Sequence, residues 1–153
     1  MKTIVVSGSA SHIGKTTLVR GVKRALSSRR VQAIKIGHGS DQPGKDERLF
    51  HDVPSGLAYI QERLAAADTD VLIIESSSIY EHFRPDLGIL LVCPWEPEKE
   101  SARIARQHAD ITIDRFFDRA RAAAVLRQKL GNDDILPVLE SQFLFYERDG
   151  ADA

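Results

Sequence analysis

Gly8-Ser9-Ala10-Ser11-His12-Ile13-Gly14-Lys15-Thr16-Thr17 stands between an apolar run, Thr3-Ile4-Val5-Val6, and a segment in which Leu18, Val19, Val22, Ala25 and Leu26 recur at helical spacing. The run before it is β-branched and apolar on both faces, which suits a strand buried within a parallel sheet. Lys23, Arg24, Arg29 and Arg30 crowd the far end of the helical segment, where the helix dipole favours cations. The unit therefore reads strand, glycine loop, helix. In that setting the loop suits a phosphate, because backbone N–H groups and a helix N-terminus converge on anionic oxygens without bringing bulky side chains.

Working outward, the alternation repeats. Val31 to Ile36 reads as a second strand, Pro54 to Ala67 as a helix opened by Pro54-Ser55, and Val71 to Ile74 as a third strand. Leu87 to Val92 and Ile111 to Ile113 are further strands around a helix from Glu98 to Gln107. Arg115 to Leu130 is a helix stopped by Gly131-Asn132. Such a chain predicts one α/β domain over 1–153, a three-layer fold with a mainly parallel sheet and crossover helices on its faces. His38 to Asp52 reads as a long loop. The tail from Ile135, with Leu136-Pro137-Val138-Leu139 and Phe143-Leu144-Phe145, is compatible with a last strand, a packing arm or a partner surface.

Composition narrows the function classes. The 153 residues are 42% hydrophobic and 28% charged with a formal net charge of -1, an ordinary globular balance without the basic field that nucleic-acid binding needs. One cysteine, Cys93, excludes an intrachain disulfide and a cysteine-cluster metal site, and suits a reducing, cytoplasmic setting. Met1 to Ser7 lacks the pattern of a secretory signal, and no apolar stretch approaches the roughly 18 residues of a membrane span.

Within the loop, Gly14 permits close approach of a nucleoside triphosphate. Lys15 supplies a point charge for its β and γ phosphates, and the Thr16 hydroxyl completes the shell of a bound Mg2+. The spacing departs from G-x-x-x-x-G-K-[ST] in having Ser9 at the first fixed position and glycine one residue earlier, at Gly8. A tight turn can still use Gly8 with Ser9 in an allowed conformation. Glu75 ends the third strand at the edge where α/β sheets bind ligands, as expected of a carboxylate that binds magnesium or its water, or of a cap on the next turn. Lys35 leaves the end of the second strand, where a cation meets a phosphate or an acidic substrate. Ser76, Ser77 and Ser78 offer hydroxyls to a second ligand or form a polar turn. His12 is either a ligand donor or a water-facing side chain. His51, His82 and His108 have no convincing metal spacing. Arg119, Arg121, Arg127 and Lys129 form a solvated helix face.

These residues resemble the GTP-binding adaptor proteins of molybdopterin-guanine dinucleotide biosynthesis, a branch of the P-loop NTPases. The likeness lies in Gly14-Lys15-Thr16-Thr17-Leu18, in Ile34-Lys35-Ile36-Gly37-His38 leading to Gln42-Pro43-Gly44-Lys45-Asp46, and in Val71-Leu72-Ile73-Ile74-Glu75. It implies the P-loop NTPase fold, GTP as nucleotide, Asp46 beside Thr16 and Glu75 at the metal, and His38 and Lys45 beside Lys35 and Ser76 at a second ligand. It further implies a cofactor-assembling enzyme as partner, and a homodimer is compatible with it. Asp41 reads as a surface aspartate or a second metal ligand. The family continues after its glutamate with a glycine, an aromatic residue and a lysine, where this chain has Ser76-Ser77-Ser78. The spacing of the loop is similar to that of dethiobiotin synthetase and the cobyrinic acid amide synthases. Ala10 and Ser11 lack the extra lysine of the ATPases that sort plasmids, which argues against that class. The Asn-Lys-x-Asp base-recognition motif is absent, so the residues alone leave GTP and ATP open. Three functions follow as expectations: a GTP-binding accessory protein with slow Mg2+-dependent hydrolysis, an ATP-dependent small-molecule kinase or ligase, and a nucleotide-responsive interaction module.

Overall fold

The computed structural model describes residues 1–10, 13–37 and 47–151, the side chains of 148–151 excepted. Ser11, His12, His38, Asp41, Lys45 and Asp46 lie outside the described residues. Six strands form one sheet: β1 (Lys2–Gly8), β2 (Val31–Ile36), β3 (Glu47–Phe50), β4 (Val71–Glu75), β5 (Leu87–Leu91) and β6 (Ile111–Ile113). Their order across the sheet is β3-β2-β4-β1-β5-β6, and every pairing is parallel. The mainly parallel expectation is thus met in full. Buried strands with apolar side chains on both faces need cover on both.

Five helices supply that cover: α1 (Lys15–Ala25), α2 (Val53–Ala66), α3 (Glu100–His108), α4 (Arg119–Leu130) and α5 (Leu136–Ala151). Alternate residues along each strand serve different layers. Ile4, Val6, Ile73 and Leu91 pack with Leu18, Val22, Leu126 and Leu139 on the face of α1, α4 and α5. Val5, Ile34, Ile74 and Leu90 pack with Ile60, Tyr80 and Ala105 on the face of α2 and α3. This is a three-layer α/β arrangement, with helices on both faces of a parallel sheet.

Local chemistry sets the helix starts. Asp52 caps α2 by accepting the Ser55 N–H at 2.7 Å, and Asp118 caps α4 by accepting the Arg121 N–H at 3.1 Å. The helix expected over Arg115 to Leu130 therefore begins at Arg119. Two further expectations change. Glu47–Phe50, inside the predicted loop, pairs with β2 as an edge strand, and the tail from Leu136 is a helix that packs on α1 and α4. Pro137 stands in its first turn, where its missing N–H costs nothing. No helix among the described residues is long and apolar enough to cross a membrane.

Candidate functional site

The sheet order sets β1 between β4 and β5, while the chain leaves β1 for β2 on the far side of β4. Such a reversal opens a crevice beyond the carboxyl ends of the strands. Into it runs the loop after β1, and there lies a cleft of about 690 Å3 lined by Ile13, Gly14, Lys15, Thr16 and Thr17, by Lys35, Glu75 and Ser76 to Ser78, and by Lys99, Ser101 and Phe145. A hollow of similar size runs along the flank of α1 between Arg20, Lys23, Arg24 and Arg29. Its walls are the flank of α1 with Val31 and Ala33 of β2 and Glu47 of β3, whereas the first cleft holds Gly14 and Lys15 at the head of α1 and so has the better donors for phosphate.

Two glycines explain the loop's irregular spacing. A Cβ on Gly8 would lie 2.9 Å from both the Ile13 Cδ1 and the Lys15 Cδ, so the lysine stem folds back over the end of β1 only because position 8 is bare. Gly14 has φ 101° and ψ 13°, in the left-handed region that favours glycine, and it turns the chain directly into α1. Among the described residues no side chain caps α1, in contrast to α2 and α4, which Asp52 and Asp118 cap. A helix N-terminus turned toward a cleft in this way suits an anion.

Ser9 and Ala10 take structural parts. The Ser9 hydroxyl accepts the Cys93 N–H at 2.8 Å, its own N–H donates to the Leu91 carbonyl, and its carbonyl accepts the Lys99 N–H at 2.8 Å. Ala10 and Ile13 are buried in the α1-side core. The loop is therefore tied to the β5–α3 connection from below, while Gly14 to Thr17 face the cleft.

Glu75 pairs in register with Val6 of β1 and Lys35 of β2, which directs it to the α1 side of the sheet. It is only 2% exposed. The Thr16 hydroxyl donates to its Oε1 at 3.4 Å, and its Oε2 is buried with no hydrogen-bond partner among the described residues. A buried carboxyl oxygen without a partner is costly, and a hard cation or its water is the natural complement. Mg2+ keeps most of its waters and needs only one or two protein oxygens besides substrate phosphates. Thr16 and Glu75 fit that demand. Among the described residues no group of three His, Cys, Asp or Glu forms a closed metal cage.

Ser76 divides from its neighbours. Its N–H donates to the Val6 carbonyl, its carbonyl accepts the Ser7 hydroxyl at 2.7 Å, and its own hydroxyl accepts the Ile79 N–H at 3.2 Å. It starts the 3-10 turn Ser78–Glu81, as the polar-turn reading expects, whereas Ser77 and Ser78 are half-buried on the cleft wall.

Sequence reasoning missed α5. Tyr146 donates its phenol O–H to the Ile13 carbonyl at 2.8 Å, and Gln142 Nε2 donates to the same oxygen at 3.3 Å. The C-terminal helix thus braces the loop from 129 and 133 residues away. The only sequence signal was a glutamine and a tyrosine four apart in an apolar tail.

Burial pushes the Tyr146 phenol well above its ordinary value, and burial does the same for Tyr80. Both remain protonated throughout the neutral range, and Tyr146 keeps its bond to the Ile13 carbonyl. An unfolded phenol ionises near pH ~10. The stability these groups contribute is therefore fully present below that pH and lost as pH rises from there through the folded values. We expect the urea midpoint to fall progressively above pH ~10. Tyr146→Phe should make that fall shallower, at a cost of about 1 kcal/mol at neutral pH; an unchanged alkaline slope would rule out Tyr146 as a contributor.

No family model matches the sequence, and no curated protein matches it. Among solved structures the chain is similar to the X-ray crystal structure of a MobB protein homolog from Bacillus stearothermophilus, at 23% identity over 74% of this chain and 79% of that chain, with a TM-score of 0.43.

Proposed function

We propose that this chain binds a nucleoside triphosphate with Mg2+ and hydrolyses it slowly, as an accessory protein to a cofactor-assembling enzyme. The observation that carries the reading is the uncapped start of α1 behind left-handed Gly14, with Thr16 against a buried, half-partnered Glu75. In this reading the backbone from Gly14 to Thr17 cradles the phosphates, Lys15 neutralises the β and γ groups, and Thr16 with Glu75 holds the metal and its water. Bound Mg2+ would supply charge neutralisation on the phosphate oxygens. The sequence resemblance would add Asp46, Lys45 and His38 to the site, and it supports GTP over ATP and a role in molybdenum cofactor assembly.

A second reading has its own support. Lys35 pairs in register with Glu75, the half-buried Ser77 and Ser78 follow it on the cleft wall, and Lys99 lines the same cleft, which suits an acceptor held for ATP-dependent phosphoryl transfer or ligation. Turnover that needs a small acidic acceptor would favour it.

Calorimetric titration with GTP and ATP, with and without Mg2+, tests the core claim beside Lys15→Ala. Removing a charged partner of a desolvated phosphate should weaken binding by about 100-fold or more. Binding that is indifferent to Lys15, or absent for both nucleotides, refutes it.

A further inference from the structure

Five large apolar side chains stand exposed among the described residues, and two of them, Trp95 and Phe145, flank the buried Tyr146 ring, with Phe145 on the wall of the phosphate cleft. Each is 42% exposed. Phe145 lines the cleft together with Lys15, Thr16 and Thr17. Trp95 stands on the connection from β5 to α3 and meets the Tyr146 ring edge-on, with centroids 6.1 Å apart; Phe145 meets the same ring at 6.1 Å. Tyr146 is itself fixed by its bond to the Ile13 carbonyl. The two exposed rings are therefore anchored to the phosphate loop through a buried third.

The position of these rings matches one end of a nucleotide. Glu75 and Lys35 belong to β4 and β2, on one side of β1, and would face the metal and the terminal phosphate. The opposite side of β1 is β5, whose following segment carries Trp95, with α5 beside it. A triphosphate whose γ end meets Glu75 directs its nucleoside end toward that side. Exposed aromatic faces there have a use that solvent does not supply, since any base has a π-face to stack on them. Charged side chains would have kept a bare surface soluble at lower cost.

We propose that Phe145 and Trp95 form the stacking platform for the purine base of the bound nucleotide. This rests on the phosphate-site reading above. It accounts for a chain without the Asn-Lys-x-Asp motif, because stacking holds a base without reading its edge.

Trp95 is the single tryptophan of the chain, so its fluorescence reports on the platform directly. GTP and ATP should quench it, and inorganic tripolyphosphate, which has no base, should bind without quenching. Trp95→Ala and Phe145→Ala should each weaken both nucleotides by about 5- to 100-fold while tripolyphosphate affinity stays unchanged. Both positions are exposed, so the folded state should survive, and far-UV circular dichroism checks this. Tripolyphosphate binding that depends on Lys15, beside nucleotide affinities unmoved by either aromatic variant, overturns the platform and leaves the phosphate site standing. Equal losses for tripolyphosphate and nucleotide also overturn it, since the rings would then only prop the loop. If neither tripolyphosphate nor nucleotide binding responds to Lys15→Ala, the phosphate-site reading fails and the platform with it.

Discussion

Glu75→Gln is expected to lower Mg2+-dependent nucleotide hydrolysis by about 100-fold or more while raising the thermal stability of the nucleotide-free protein. The two effects have one cause. In the folded protein Glu75 is 2% exposed and one of its oxygens has no hydrogen-bond partner among the described residues. Holding a carboxylate there costs free energy until a cation or its water arrives, and an amide of the same shape lowers that cost. The gain should be about 1 kcal/mol, seen as a higher unfolding temperature without ligand. A residue kept only to cap the turn after β4 would behave in the opposite way, losing stability as Gln and leaving Mg2+ dependence alone. Melting curves with and without Mg2+, read beside turnover, separate the two. Loss of stability together with unchanged metal dependence would remove Glu75 from the metal site.

That carboxylate was legible in the sequence because it ends a run, Val71 to Ile74, whose apolar residues admit only a buried strand. The same holds for β1, β2, β5 and β6 and for Gly14 at the head of α1, where local pattern and tertiary environment agree. Other parts were not legible, for identifiable reasons. Glu47–Phe50 is an edge strand bonded, among the described residues, to β2 alone, so its conformation comes from a neighbour rather than from its own four residues. The tail hid α5 because its apolar residues serve two purposes. Leu136, Leu139 and Tyr146 are buried in the core, while Leu144 and Phe145 stay exposed, and the mixture blurs a single helical stripe. Ser9 departs from the usual spacing of a phosphate loop, with Gly8 free to serve the turn. Its hydroxyl and carbonyl instead fasten the loop to the β5–α3 connection, and the glycine that Lys15 needs is Gly8. A spacing rule read from sequence does not reveal which residue the lysine stem crosses.

Gly14→Ala should cost about 2 kcal/mol of stability and at least about tenfold in nucleotide affinity, and pairing it with Gln142→Ala tells why. At φ 101° an L side chain is strained whatever the space around it. Its Cβ would also lie 2.9 Å from Gln142 Nε2, the flexible end of a side chain that can move, but only by giving up its bond to the Ile13 carbonyl. Gln142→Ala alone loses that bond, with Tyr146 still holding the same oxygen. If contact and strain both act, the double variant is less destabilised than the sum of the singles by about 0.5 kcal/mol or more, because the displaced bond is counted in each single variant. The affinity loss should nonetheless persist, since the left-handed turn aims the first N–H groups of α1 and Gln142→Ala does nothing to restore it. Full recovery of affinity in the double variant would mean that the brace from α5, and not the turn at Gly14, sets the geometry of the phosphate loop.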